Sequence, residues 1–174
     1  MPSVAVSRVS RWRHAQARLL HYSRCWRLMR LPRPIGIWWL LWPTLWALWL
    51  ASAGRPDAKV FAILVLGTIV VRSAGCVIND YIDRKIDPHV PRTAGRPLAT
   101  GEGGPVRGAL LFAALMLIAL GLVLTLNKLT ITFAIGGAVI TVIYPFTKRY
   151  LSTPQFVLGV AFSWGVPMAF AATL

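Results

Sequence analysis

The sequence predicts an all-α, polytopic membrane protein, a bundle of five transmembrane helices, and three observations carry that prediction. Of 174 residues, 56% are hydrophobic and 14% charged, whereas a soluble domain is about 45 to 50% apolar and about 25% charged. Five stretches long enough to cross a bilayer hold a single charge between them. The basic residues gather in the segments between those stretches. Together these exclude a soluble globule. Eight Trp and seven Phe beside long aliphatic runs exclude a disordered chain. The net charge of +14 is no nucleic-acid footprint, because the cations are dispersed among apolar runs and form no compact patch.

A hydrocarbon core about 30 Å thick needs about 20 helical residues at 1.5 Å each. The predicted spans are 35–54, 60–79, 108–127, 129–146 and 155–174, and only the second carries a charge, Arg72. The first holds five tryptophans, Trp38, Trp39, Trp42, Trp46 and Trp49, read as interfacial belt or packing residues. Pro43 and Pro167 lie inside the first and last spans, where each removes a backbone hydrogen bond and predicts a kink, either toward an interior cavity or for packing alone. No internal repeat relates the spans, which disfavours a transporter built from repeats.

Residues 1–33 form a basic arm with eight Arg and no acid, and 34–174 form the membrane region. The arm, the 80–107 loop and the 147–154 loop carry 8, 5 and 2 basic residues, against 3 in the opposite loops. The excess of positive charge on one side predicts a cytoplasmic N-terminus, and a bacterial inner membrane is the expected location. Ala51-Ser52-Ala53 is not read as a signal-cleavage site, because the basic lead is too long and the run before it too rich in Trp. Cys25 and Cys76 have no metal-site or disulfide spacing.

Three of the five acids fall within Asn79-Asp80-Tyr81-Ile82-Asp83-Arg84-Lys85-Ile86-Asp87. At about 100° per residue, Arg72, Asn79, Asp83 and Asp87 share one helix face, with Asp80 beside it. Pro88 disfavours helical geometry at Asp87, so the last carboxylate is expected where the helix ends. Carboxylates below the headgroups cost on the order of 2.5 to 3.5 kcal/mol each, so something compensates them. Two readings stand: pairing with the adjacent Arg84 and Lys85, or a divalent cation such as Mg²⁺, which takes carboxylate, amide and phosphate oxygens. Arg92, Arg96, Lys148 and Arg149 share the acidic side. Each by itself reads as a positive-inside anchor, but around an acid cluster they suit a diphosphate with a lipid tail. A small cation transporter using the same stripe would be expected to carry acids deeper in its spans.

These residues resemble the UbiA-type intramembrane aromatic prenyltransferases, closest to the branch that acts on 4-hydroxybenzoate. Asn79-Asp80-x-x-Asp83-x-x-x-Asp87, continued by Arg92-Thr93-x-x-Arg96-Pro97-Leu98, is similar to that family's first aspartate-rich motif. Arg33-Pro34-Ile35-Gly36, Leu41-Trp42-Pro43-Thr44, Arg72-Ser73-Ala74-Gly75-Cys76 and Tyr144-Pro145-Phe146-Thr147-Lys148-Arg149 also look like the family, and the resemblance runs from about Cys25 to the last residue. Pro32 stands where an acid is usual.

The resemblance implies a nine-helix ring of which this chain carries five spans, with a second aspartate motif expected in a later half. The chain then reads as truncated after its fifth span: a fragment lacking that motif, or a half whose partner is the missing C-terminal part. It implies transfer of a polyprenyl group from polyprenyl diphosphate to the ring carbon ortho to the hydroxyl of 4-hydroxybenzoate, in ubiquinone biosynthesis. It implies Mg²⁺ as cofactor, held by Asn79, Asp83 and Asp87 with Asp80 in support. Asp83, Asp87 and Arg72 become catalytic candidates, and Arg72, Arg84, Lys148 and Arg149, with Tyr144 and Arg33, become substrate-binding candidates that contact diphosphate or steady the carboxylates.

Overall fold

The computed structural model describes residues 24–101 and 103–174. Among the described residues every regular element is helical. Helices α1 (Ile35–Ala51), α2 (Ala58–Asp83), α3 (Pro105–Val123), α4 (Lys128–Tyr150), α5 (Pro154–Ser163) and α6 (Gly165–Thr173) follow in order, and α5 and α6 together make the fifth span. Four spans are long and apolar enough to cross a membrane, and α1 is a shorter apolar helix. The chain is a polytopic membrane helix bundle, as the composition predicts. Most of the 1–33 arm lies outside the described residues.

Local chemistry sets where the helices begin. Asp57 caps α2 by accepting from Val60 N–H at 2.9 Å, and Asn127 caps α4 by accepting from Thr130 N–H at 2.8 Å. Pro105 and Pro154 open α3 and α5 at the first helical position, where their missing N–H is no loss. α2 runs four residues past its apolar stretch, because Asp80 and Asn79 are buried inward and the helix keeps its backbone paired there. The expected kink in the last span is a break at Trp164, just before Pro167. Pro43 and Pro145 are instead accommodated within α1 and α4.

Helices α1, α3, α4 and α6 all pack on α2, and α6 also lies against α1 and α4. The fifth span therefore returns to the first, and α6 lies against α1, α2 and α4 together. Two apolar clusters hold the bundle: Leu28, Ala74, Val77, Leu98 and Leu115 near the acidic end, and Ala47, Leu48, Leu64 and Ala169 near the other. Close approach decides the second contact. A Cβ on Gly165 would collide with Thr44 Oγ1, so only glycine lets α6 sit against α1. The Trp164 ring lies across Gly136 and Gly137 in the same manner, and its indole N–H donates to Phe133 C=O at 2.7 Å.

The outer surfaces remain apolar and exposed, including Leu110, Leu117 and Val139. In a bilayer such faces meet lipid with no loss. The five tryptophans of α1 are exposed as well; Trp38 stacks on Trp42 with ring centroids 6.2 Å apart, and Trp46 lies tilted against Trp42 at 6.4 Å.

Candidate diphosphate and acceptor site

The acidic residues lie at one end of the bundle, beside the 84–104 loop. Helix α2 ends at Asp83, a turn follows, and Asp87 opens a short 3-10 turn, Asp87–His89, with Pro88 behind it. Asp80 and Asp87 are buried; Asp83 is partly exposed. Their cations come from far along the chain. Asp80 Oδ1 accepts from Arg30 at 2.7 Å and lies 3.1 Å from Arg96. Arg96 also donates to Asp87 Oδ2 at 2.8 Å. Arg149 lies 3.9 Å from Asp83 Oδ1 and donates to Ile82 C=O at 3.2 Å, on the exposed carbonyl end of α2 where a cation is favourable.

The pairing with Arg84 and Lys85 that sequence proximity suggests is not what forms. Arg84 donates to Tyr81 C=O at 2.6 Å and lies 4.4 Å over the Tyr81 ring, on the side of the first apolar cluster. Lys85 is exposed.

A cavity of about 410 Å³ opens from this end into the bundle. Arg30, Arg72, Asn79 and Tyr144 line its polar part, and Leu64, Val71, Met116, Ile131 and Ile135 line the remainder. The α2 lining runs from Ile63 to Asn79, a depth of about 24 Å at 1.5 Å per residue. Asp83 stands one turn beyond Asn79 on the same face.

Arg72 sits deeper, about 16 Å along the helix axis from Asp83. Its guanidinium lies 5.7 Å from the Phe162 ring centroid and over Gly36, where a Cβ would come within 2.5 Å of it. The ion pairs of Asp83 and Asp87 among the described residues are with Arg149 and Arg96, not with Arg72.

The UbiA prenyltransferase family model matches residues 40–174, most of the chain. The chain belongs to the UbiA prenyltransferase family. Relatives include proteins named 4-hydroxybenzoate octaprenyltransferase from Nitrosococcus oceani, 59% identical over 89% of this chain and 53% of that protein, and from Saccharophagus degradans, 57% identical over 90% and 52%. The chain thus spans about half the length of the curated relatives it matches. A solved structure, a UbiA homolog from Archaeoglobus fulgidus bound to GPP and Mg²⁺, superimposes with a TM-score of 0.67 at 19% identity, over 87% of this chain and 53% of that one. At that identity the likeness is one of fold.

Within the UbiA fold, the residues marked by sequence divide into three groups. Asn79, Asp80, Asp83, Asp87 and Arg149 are brought together at the acidic end; Arg72 and Tyr144 line the cavity; Arg84 and Arg33 join neither, Arg33 being exposed on the turn before α1. The side chain of Lys148 lies outside the described part. Among the described residues no three acidic, histidine or cysteine side chains converge as a metal cluster. The donors nevertheless suit a hard cation: an amide oxygen and two carboxylates on one face and the turn below it. Asp80 is the weakest donor of the four, since its Oδ1 already meets two guanidiniums.

Sequence reasoning missed Arg30 and Phe162. One of eight arginines in a basic arm carries no mark that singles it out, and an aromatic beneath Arg72 becomes visible only when α5 is packed against α1 and α4.

Proposed function

We propose that this chain supplies the diphosphate-binding end and part of the acceptor pocket of an aromatic prenyltransferase. The reaction is transfer of a polyprenyl group to the carbon ortho to the hydroxyl of 4-hydroxybenzoate, a step of ubiquinone synthesis. The observation that carries the reading is the cavity itself: the Asn79 amide and Arg30 at its polar end, with Asp83 one helical turn beyond, then aliphatic walls, with a second cation, Arg72, deeper along α2.

Asn79, Asp83 and Asp87 would hold Mg²⁺, which neutralises diphosphate charge and improves the leaving group. Arg149, next to Asp83, meets further phosphate charge. The polyprenyl chain lies along the aliphatic wall. Arg72 holds the carboxylate of the aromatic acid, and its separation from the acids keeps the two anionic substrates from competing for one cation. The allylic C–O bond breaks as diphosphate leaves, the ring carbon ortho to the phenol bonds to the allylic carbon, and that ring carbon then loses its proton. Aliphatic walls exclude water, which would otherwise capture the allylic cation.

The relatives are about twice as long, so this reading concerns what these residues do in a protein of that length. The acidic end is assigned to the cytoplasmic side of a bacterial inner membrane, from the excess of basic residues there. The test is prenyl transfer from polyprenyl diphosphate to 4-hydroxybenzoate in membranes lacking the native enzyme. The 174-residue chain is assayed alone and together with the later half of a relative. Turnover is expected only in combination, and its absence in both arms counts against the reading.

A further inference from the structure

Arg30 is one of two non-glycine residues with positive φ among the described residues, at 54°. The helical turn at 24–28 ends there in a Schellman arrangement: Leu31 N–H reaches Trp26 C=O at 3.3 Å and Arg30 N–H reaches Arg27 C=O at 3.1 Å. The left-handed position of that motif is ordinarily glycine, because a Cβ there is strained. Arginine occupies it here, and its side chain explains why. The guanidinium reaches 50 residues along the chain to Asp80 Oδ1 at 2.7 Å, on a carboxylate 2% exposed.

Asp80 in turn holds Arg96, and Arg96 holds Asp87. Arg27 donates to Gly95 C=O at 3.3 Å beside the same loop. Arg30 therefore stands at the head of a chain of charges that runs through the helix end into the acidic turn. Without it, a buried carboxylate would keep a single guanidinium, Arg96, beside the Asn79 side chain, and Arg96 could no longer be shared evenly with Asp87.

We propose that Arg30 is a positioning residue: its strained backbone delivers a guanidinium to Asp80, and through Asp80 and Arg96 it sets the place of Asp87 and the 84–104 loop. That this turn then receives Mg²⁺ and diphosphate rests on the function proposed above. Asp80 is, on this account, an anchor for the site, while Asn79, Asp83 and Asp87 face the ligand.

Three substitutions separate the backbone role from the side-chain role. Arg30→Gly suits the left-handed backbone and removes the charge; Arg30→Ala keeps the strain and removes the charge; Arg30→Lys keeps both. In detergent, trypsin cleavage after Arg92 reports loop placement, and the Mg²⁺ midpoint for binding geranyl diphosphate reports the acidic turn. Arg30→Gly and Arg30→Ala are expected to be cleaved at least about tenfold faster than the parent, with a Mg²⁺ midpoint raised at least about tenfold. Arg30→Lys is expected within about threefold of the parent on both. A glycine variant as protected as the parent would overturn the proposal and make Arg30 a helix cap only, and so would a lysine variant as open as the alanine one. If the parent shows no Mg²⁺-dependent binding while the cleavage order holds, the proposed function fails and the positioning role stands.

Discussion

Arg96 Nη1 lies 2.8 Å from Asp87 Oδ2 and 3.1 Å from Asp80 Oδ1, so one guanidinium from the 84–104 loop ties the end of α2 to the turn that follows it. Removing it leaves Asp87 buried without that partner. Arg96→Ala is therefore expected to lower stability by on the order of 3 kcal/mol, at the low end of what breaking a buried pair costs because Arg30 still holds Asp80. Reversible unfolding in mixed micelles reads this. A change under about 0.5 kcal/mol would mean the pair is no more than a surface contact.

Much of the fold was legible before any coordinates, and for a simple reason. A bilayer demands long uncharged runs, so the apolar stretches delimit the spans directly. What escaped was set by tertiary contact. At the break the Trp164 ring is seated on Gly136 and Gly137, a contact no local pattern marks, and α2 outlasts its apolar run because its polar residues face inward. At the site, the motif's spacing placed Asn79 and Asp83 on one face because i and i+4 are neighbours on a helix, whereas Asp87 lies beyond the helix end in its own turn. Of the two readings, pairing with Arg84 and Lys85 is not what forms; the cations that meet the acids, Arg30, Arg96 and Arg149, are brought in by chain folding rather than by spacing.

Arg72 and the acidic turn should act on different substrates. Arg72→Ala is expected to weaken 4-hydroxybenzoate binding by about 10- to 100-fold, the value of a charge-assisted hydrogen bond of about 1.5 to 3 kcal/mol. Geranyl diphosphate binding should change by less than about threefold. Titration calorimetry with each ligand separates these, and an equal loss for both would place diphosphate at Arg72 as well.

Gly165 admits no side chain against Thr44. Gly165→Ala should push α6 from α1 and destabilise the bundle by about 1 to 3 kcal/mol, a usual range for overpacking. Thr44→Ala in the same chain should recover part of that, because it removes the hydroxyl that collides. Melting in detergent checks both, and an unperturbed Gly165→Ala protein would contradict the close α1–α6 contact.

The orientation is open to direct labelling. In a chain with Cys25 and Cys76 replaced by serine, a cysteine at Val90 should react only after membranes are opened, and one at Arg55 should react in intact cells. Labelling of Val90→Cys from outside would reverse the assigned topology.

The central claim is that Asn79, Asp83 and Asp87 form a divalent-cation site for a prenyl diphosphate. The most direct measurement is geranyl diphosphate binding to the purified chain as Mg²⁺ is raised, for the parent, Asp83→Ala and Asp57→Asn. Asp57 lies at the opposite end of α2, and asparagine keeps its capping oxygen while removing a negative charge. The account predicts binding that needs Mg²⁺, is lost in Asp83→Ala and is retained in Asp57→Asn. Equal binding by all three, or binding indifferent to Mg²⁺, would contradict it.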